Sequence, residues 1–153
     1  MKKIIHTSTL FRWMFSVYPP YFFTGIKLAF ISKDFRELTV QMRLRWYNRN
    51  AVGTHFGGSL FAMTDPWYML MLMQILGKDY VVWDKSGCIE FMKPGTGLVT
   101  CKFVVSDAML AEIKEKTANG EKYLPEFPVE VIDEKGDVVV TVKKGLYIRK
   151  KRS

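Results

Sequence analysis

The sequence predicts an α+β fold in which one antiparallel sheet is wrapped round a central apolar helix, with a short helix ahead of it. Three observations predict this. From Leu38 to Trp46, apolar and polar residues alternate: Leu38, Val40, Met42, Leu44 and Trp46 share one side, and Thr39, Gln41, Arg43 and Arg45 the other. Period two over that length is a strand with one buried and one wet face, which favours antiparallel pairing. From Ser59 to Leu76 the chain is rich in Leu, Met and Ala and apolar on nearly every side, so a helix there is buried all round. Two strand-like segments precede this helix and four follow it, which supplies a sheet face to enclose it.

The remaining elements follow in chain order. Leu10 to Val17 is apolar and aromatic and is closed by Pro19-Pro20, which predicts a short helix packed on the body of the fold. In the first strand Ile26, Leu28 and Phe30 form the apolar face, and Ser32 to Asp34 turns the chain. Asn48 to Thr54 is a polar loop. Gly77 stops the central helix. Tyr80 to Met92 reads as a strand interrupted near Asp84 to Gly87, where Asp84 and Lys85 suggest a solvated break. Lys93-Pro94-Gly95 is a turn. Val99, Cys101, Phe103 and Val105 form the apolar face of the next strand. Asp107 to Asn119 reads as a helix with Asp107 as cap and Gly120 as stop. Tyr123 to Asp133 places Phe127, Val129 and Val131 on one face, and the last strand does the same with Val138, Val140, Val142, Leu146 and Ile148.

The 153 residues suit one domain, with 1–22 as a helical extension and 107–120 as an inserted helix. A domain of this size buries roughly two-thirds of its unfolded surface, enough to fold without disulfides or metal. Cys88 and Cys101 are expected to be reduced core residues of a cytoplasmic protein. Neither they nor the two histidines have metal-ligand spacing, and no cofactor is expected. The longest apolar run, Trp67 to Leu76, is too short to span a bilayer. Met1 to His6 begins with basic residues but lacks the long apolar region and cleavage site of a signal peptide. The net charge is +8. The tail Arg149-Lys150-Lys151-Arg152 is either a polyanion contact or a solvated terminus. Arg43, Arg45, Trp46 and Arg49 with that tail suggest nucleic acid, but no recognition motif accompanies them, so no nucleic-acid partner is expected.

The chemistry-bearing stretch runs from Asn50 to Asp65. Gly57-Gly58 opens a helix, where backbone N–H groups are exposed and can be approached closely, a means of holding an oxyanion. Asp65 is a carboxylate in an otherwise apolar stretch, where an unpaired charge is costly. Asp65 also precedes Pro66, so it can be read instead as the N-cap of a helix starting there. If the helix runs on from Gly58, Pro66 kinks it.

This stretch resembles the signature of acyl-CoA thioesterases of the hotdog fold, of the phenylacetic-acid-pathway and 4-hydroxybenzoyl-CoA type. Gly57-Gly58 matches the family's glycine pair, Phe61-Ala62-Met63-Thr64-Asp65 the stretch ending in its catalytic acid, and Asn50 its Asn or Gln. Lys93-Pro94-Gly95 resembles its basic-Pro turn. The resemblance covers about Ile26 to Arg149. It departs at one place: the family's histidine directly precedes the glycine pair, whereas here Phe56 does and His55 stands one earlier. Either the loop is shifted or the histidine's role is lost.

The resemblance implies that the Gly57 N–H polarises a thioester carbonyl, Asp65 acts as nucleophile or general base, and Asn50 orients water or substrate. His55, Phe56, Gly58 and Ser59 would line the substrate site. Gly57 and Asp65, eight positions apart on one helix, are about 12 Å apart along its axis. They therefore cannot touch one carbonyl, and a working site combines Gly57 of one subunit with Asp65 of its partner. A homodimer or dimer of dimers follows. The expected function is hydrolysis of an acyl-CoA thioester; the alternative is a hotdog protein that binds an acyl or lipid group without turnover.

Overall fold

The structure is a computed structural model that describes residues 8–151. Its order is α1 (Ser8–Val17), α2 (Pro19–Phe22), β1 (Ile26–Ile31), β2 (Glu37–Arg43), α3 (Gly57–Ala62), α4 (Trp67–Leu76), a 3-10 turn (Gly77–Asp79), β3 (Tyr80–Phe91), β4 (Leu98–Val104), α5 (Asp107–Lys116), β5 (Lys122–Tyr123), β6 (Glu126–Asp133) and β7 (Val138–Lys150). The start Met1 to His6 and the tail residue Arg152 lie outside the described residues.

All strand pairs are antiparallel, in the order β1-β2-β4-β6-β7-β3, with β5 paired to the end of β7. β1 and β3 are therefore the edges. The core joins Trp67, Tyr68, Met71 and Leu72 of α4 to the inward residues of the strands, among them Val40, Val99, Val131 and Val142. No residue of α4 is exposed, as expected for a helix without a polar face. This is the hotdog arrangement.

Alternation set the strand faces. Leu38, Val40 and Met42 are buried, as are Val99, Cys101, Phe103 and Val105, and Val140, Val142, Leu146 and Ile148. Four expectations are corrected by local geometry. A register shift between Leu28 and Phe30 turns Phe30 outward, so it is exposed. β2 ends at Arg43 because Asn48 folds the chain back. Its Oδ1 accepts from the Arg45 N–H (2.7 Å) and its Nδ2 donates to the Thr24 and Arg43 carbonyls (2.9 and 3.0 Å). Trp46 is consequently exposed rather than in line with Met42. The last two corrections concern β3. The strand runs unbroken through Asp84–Gly87 with only a register shift between Asp84 and Ser86. Cys88 is exposed on it, so only Cys101 is a core thiol.

Three helix boundaries also differ. Pro19-Pro20 opens α2 as well as closing α1, since proline suits the first helical turn. Ser106, not Asp107, caps α5, its Oγ accepting from the Met109 N–H. The expected continuous helix from Ser59 to Leu76 is two helices, broken at Met63–Pro66. Asp65 is not a cap: α4 begins after Pro66, with no side chain accepting from its first turn.

Candidate active site

The glycine pair is enforced sterically. A Cβ on Gly57 would stand 2.9 Å from the ring of Phe91, and one on Gly58 2.5 Å from the ring of Phe56. Phe56 is extended (φ −63°, ψ 127°) at the N-cap of α3, and its carbonyl accepts from the N–H groups of Ser59 and Leu60. Gly57 and Gly58 thus stand at the helix start, where N–H groups have no intrahelical acceptor. α3 is only six residues long, so these amides would act as hydrogen-bond donors rather than through a sizeable helix dipole.

Asn50, Thr54, His55, Gly57 and Leu60 line a cleft of about 470 Å³ together with Phe91 to Gly95. Asn50 is occupied by its own loop. Its Oδ1 accepts from the N–H groups of Val52 and Thr54 (3.1 and 3.0 Å), and its Nδ2 donates to Thr54 Oγ1 and the His55 carbonyl. His55 is buried, with Nε2 3.1 Å from the Gly97 carbonyl oxygen. That contact makes Nε2 the protonated nitrogen and leaves Nδ1 a buried acceptor without a hydrogen-bond partner. Burial pushes the imidazole below its ordinary pKa, and the bond to Gly97 opposes this. Ser59 is buried and Phe56 exposed. Neither lines the cleft, nor does Gly58.

Asp65 sits elsewhere, on the break between α3 and α4. Its side chain is 52% exposed, so it is not the buried carboxylate that its apolar surroundings suggested. Lys144 of β7, only 3% exposed, places Nζ 2.5 Å from Asp65 Oδ1. The same ammonium is 3.4 Å from Asp84 Oδ1, close enough for an ion pair but without the alignment of a hydrogen bond, so that oxygen has no hydrogen-bond partner. It also lies 5.9 Å from the centre of the Phe61 ring. Tyr21, buried, donates its hydroxyl to the Asp65 backbone carbonyl. Burial, and then the Asp65 charge, push the Tyr21 phenol well above its ordinary value. Burial also raises Asp84; Lys144 opposes that rise and Asp65 adds to it. Asp84 is therefore no solvated strand break but part of an acid–lysine–acid cluster.

Sequence reasoning missed Lys144. The signal was present: Val140, Val142, Leu146 and Ile148 share the inward phase and Lys144 falls on it, whereas a register shift turns Val138, expected on the same face, away from the core. Among the described residues no group of three His, Cys, Asp or Glu side chains could hold a metal ion.

A family model described as a domain of unknown function (DUF4442) matches residues 7–148. The chain belongs to that family. No curated protein matches this family member in sequence. Solved structures do match it in shape. A Pseudomonas aeruginosa protein of unknown function, described as a probable thioesterase, has TM-score 0.83 and 14% identity over 97% of this chain and 99% of its own. A thioesterase from Haemophilus influenzae has TM-score 0.68 and 12% identity over 97% and 94%. The E. coli PaaI protein from the phenylacetic acid degradation operon has TM-score 0.59 and 12% identity over 92% and 90%. At these identities the likeness establishes that this DUF4442 domain has the hotdog fold. Among its described residues no helix is long and apolar enough to cross a membrane.

Proposed function

We propose that the chain hydrolyses acyl thioesters, with acyl-CoA as the substrate class. The observation that carries this reading is Asp65, a carboxylate on the helix break of a hotdog fold, anchored through one oxygen by a buried lysine. With Oδ1 held by Lys144, Oδ2 is the oxygen that can take a proton. In the reaction the water oxygen bonds to the thioester carbon while Asp65 accepts a water proton. The Gly57 N–H donates to the carbonyl oxygen as it becomes an oxyanion. The C–S bond then breaks, and the thiolate leaves and is protonated, giving the acid and the free thiol. Named thioesterases share the fold, and the residues match that family's pattern at Gly57, Gly58 and Asp65.

One chain does not bring the two halves of this site together. Gly57 lies against Phe91, at one end of β3, and Asp65 shares Lys144 with Asp84, towards the other. Asp84 and Phe91 are about 23 Å apart along the strand. β3 is an edge strand of twelve residues, with Lys85 to Cys88 exposed, and long open edges invite pairing. A twofold axis near Gly87–Cys88 would pair β3 with its copy and set Phe91 of one subunit near Asp84 of the other. Each Gly57 would then approach the partner's Asp65, giving two equivalent sites in an isologous dimer. The unpaired thiols Cys88 and Cys101 fit a reducing, cytoplasmic setting.

A second reading, acyl or lipid binding without turnover, is favoured by Asn50. Its hydrogen bonds are committed to the loop, so it is not available to orient water. The test is a panel of acyl-CoA substrates, aromatic and aliphatic, with free thiol detected. Thiol release above the rate without protein supports hydrolysis. Saturable binding with no release across the panel replaces it with the binding reading.

A further inference from the structure

We infer that the face built by α1, α2, the start of β1 and the Trp46-Tyr47 loop binds the surface of an anionic lipid bilayer. Three consecutive elements converge there with the Trp46-Tyr47 loop, which comes from beyond β2. Ser16, Tyr21, Phe22, Phe23, Ile26 and Trp46 are among the residues that line one open groove of about 480 Å³. Its rim is aromatic and lies in solvent: Trp46 is 82% exposed, Phe23 73%, and Phe22 and Trp13 62% each. Phe22 and Phe23 pack edge to face, as do Trp46 and Tyr47. α1 turns Phe11 and Phe15 inward and Trp13, Met14 and Val17 outward, so it is apolar on two sides. The inner side is tied down, with Phe15 and Tyr21 each packed on Trp67. The outer rings are thus presented by a fixed base.

Charge selects the occupant. Nine of the 23 basic residues but only two of the 15 acidic ones lie in the first 64 positions, and of those nine Arg12, Lys27 and Arg45 belong to or adjoin the segments that build the face. No Asp or Glu occurs between Ser8 and Phe30 or between Leu38 and Thr64, the stretches from which the segments of the face are drawn. Among the described residues Arg12, Lys27 and Arg45 form no ion pair. A second copy of the chain would bring the same positive charge to this face and be repelled. Nucleic acid would answer the charge but leave Phe22, Phe23, Met14 and Val17 unexplained. A bilayer with anionic headgroups answers both. Tryptophan and tyrosine favour the headgroup level, apolar side chains enter the acyl boundary, and Lys and Arg meet the negative surface. This inference stands apart from the thioester reading: Tyr21, at the base of the groove, touches the Asp65 backbone carbonyl, but the exposed rings and the basic residues of this face lie outside the proposed site.

The test is flotation of the full chain with phosphatidylcholine vesicles, with and without phosphatidylglycerol. The chain is expected to float with the anionic vesicles, weakly with the neutral ones, and less as salt rises. The double variant Phe23→Ser/Trp46→Ser alters exposed side chains only. It is expected to melt as the parent does, to keep its activity on soluble acyl-CoA, and to lose about tenfold or more in binding. Lys27→Glu and Arg45→Glu should each weaken binding about fivefold or more. Equal or absent binding to the two vesicle types overturns the inference, as does a double variant that binds like the parent. So do self-association lost in the double variant without vesicle binding, and capture of a single-stranded oligonucleotide while vesicles are ignored.

Discussion

The Lys144 ammonium reaches Asp65 Oδ1 at 2.5 Å although Lys144 lies on the buried face of β7 and Asp65 on the break between two helices. The pair ties the sheet to that break, and Asp84 of β3 shares the same charge. A lysine buried between two carboxylates is costly to leave half-paired.

Lys144→Met is accordingly expected to destabilise the chain by about 2 kcal/mol, less than a fully buried pair would lose because Asp65 is half in water. Urea unfolding measures this. Adding Asp84→Asn should recover part of the loss, because that variant removes the acid that Lys144 no longer faces. Strictly additive effects in the cycle would contradict a shared cluster.

The β3 edge gives a second prediction. In a twofold pairing centred near Gly87–Cys88, the two Cys88 thiols come within disulfide range. Mild oxidation should yield a covalent dimer on a non-reducing gel, absent in Cys88→Ser, while buried Cys101 does not cross-link. A chain that sediments as a monomer and resists cross-linking would remove the dimer.

His55 sets a pH dependence. Burial holds its pKa below the unfolded value, so the folded chain takes up a proton less readily than the unfolded chain. Its contribution to stability is complete above the unfolded value of about 6.5 and is lost as pH falls through the lower folded value. Asp84 is raised instead, so its effect has the opposite sign. Comparison with His55→Gln isolates the histidine. The parent should lose melting temperature between about pH 7 and pH 5.5, and the variant should lose less. Identical slopes would count against a buried neutral His55.

Gly57→Ala separates packing from chemistry. The added methyl meets the Phe91 ring, which is exposed and can turn aside. Stability should fall by under about 1 kcal/mol. Crowding at the amide should cut thiol release about tenfold or more. Full activity in this variant would show that the Gly57 N–H is not the oxyanion donor.

Most strand faces were legible because alternation depends only on local side-chain direction: Leu38, Val40 and Met42, or Val99, Cys101 and Phe103, needed no knowledge of their partners. Phe30 and Trp46 escaped that logic. A register shift turned Phe30 outward, and hydrogen bonds between Asn48 and the backbone of Thr24, Arg43 and Arg45 redirected the chain before Trp46. For the central helix the sequence left two readings open, a kink or a fresh start at Asp65-Pro66. The structure has a helix on each side of that point, and the carboxylate caps neither. In the candidate site the glycine pair and Asp65 were visible as residue types. The Lys144 contact was not, because it joins positions 79 residues apart and interrupts an apolar pattern that was read past it.

Asp65 as the catalytic base is tested most directly by thiol release from acyl-CoA by the parent chain and by Asp65→Asn, with melting curves confirming that both are folded. If Asp65 is the base, the variant loses about a hundredfold or more in thiol release and keeps a native melting transition. Equal thiol release by the two folded proteins would contradict that role.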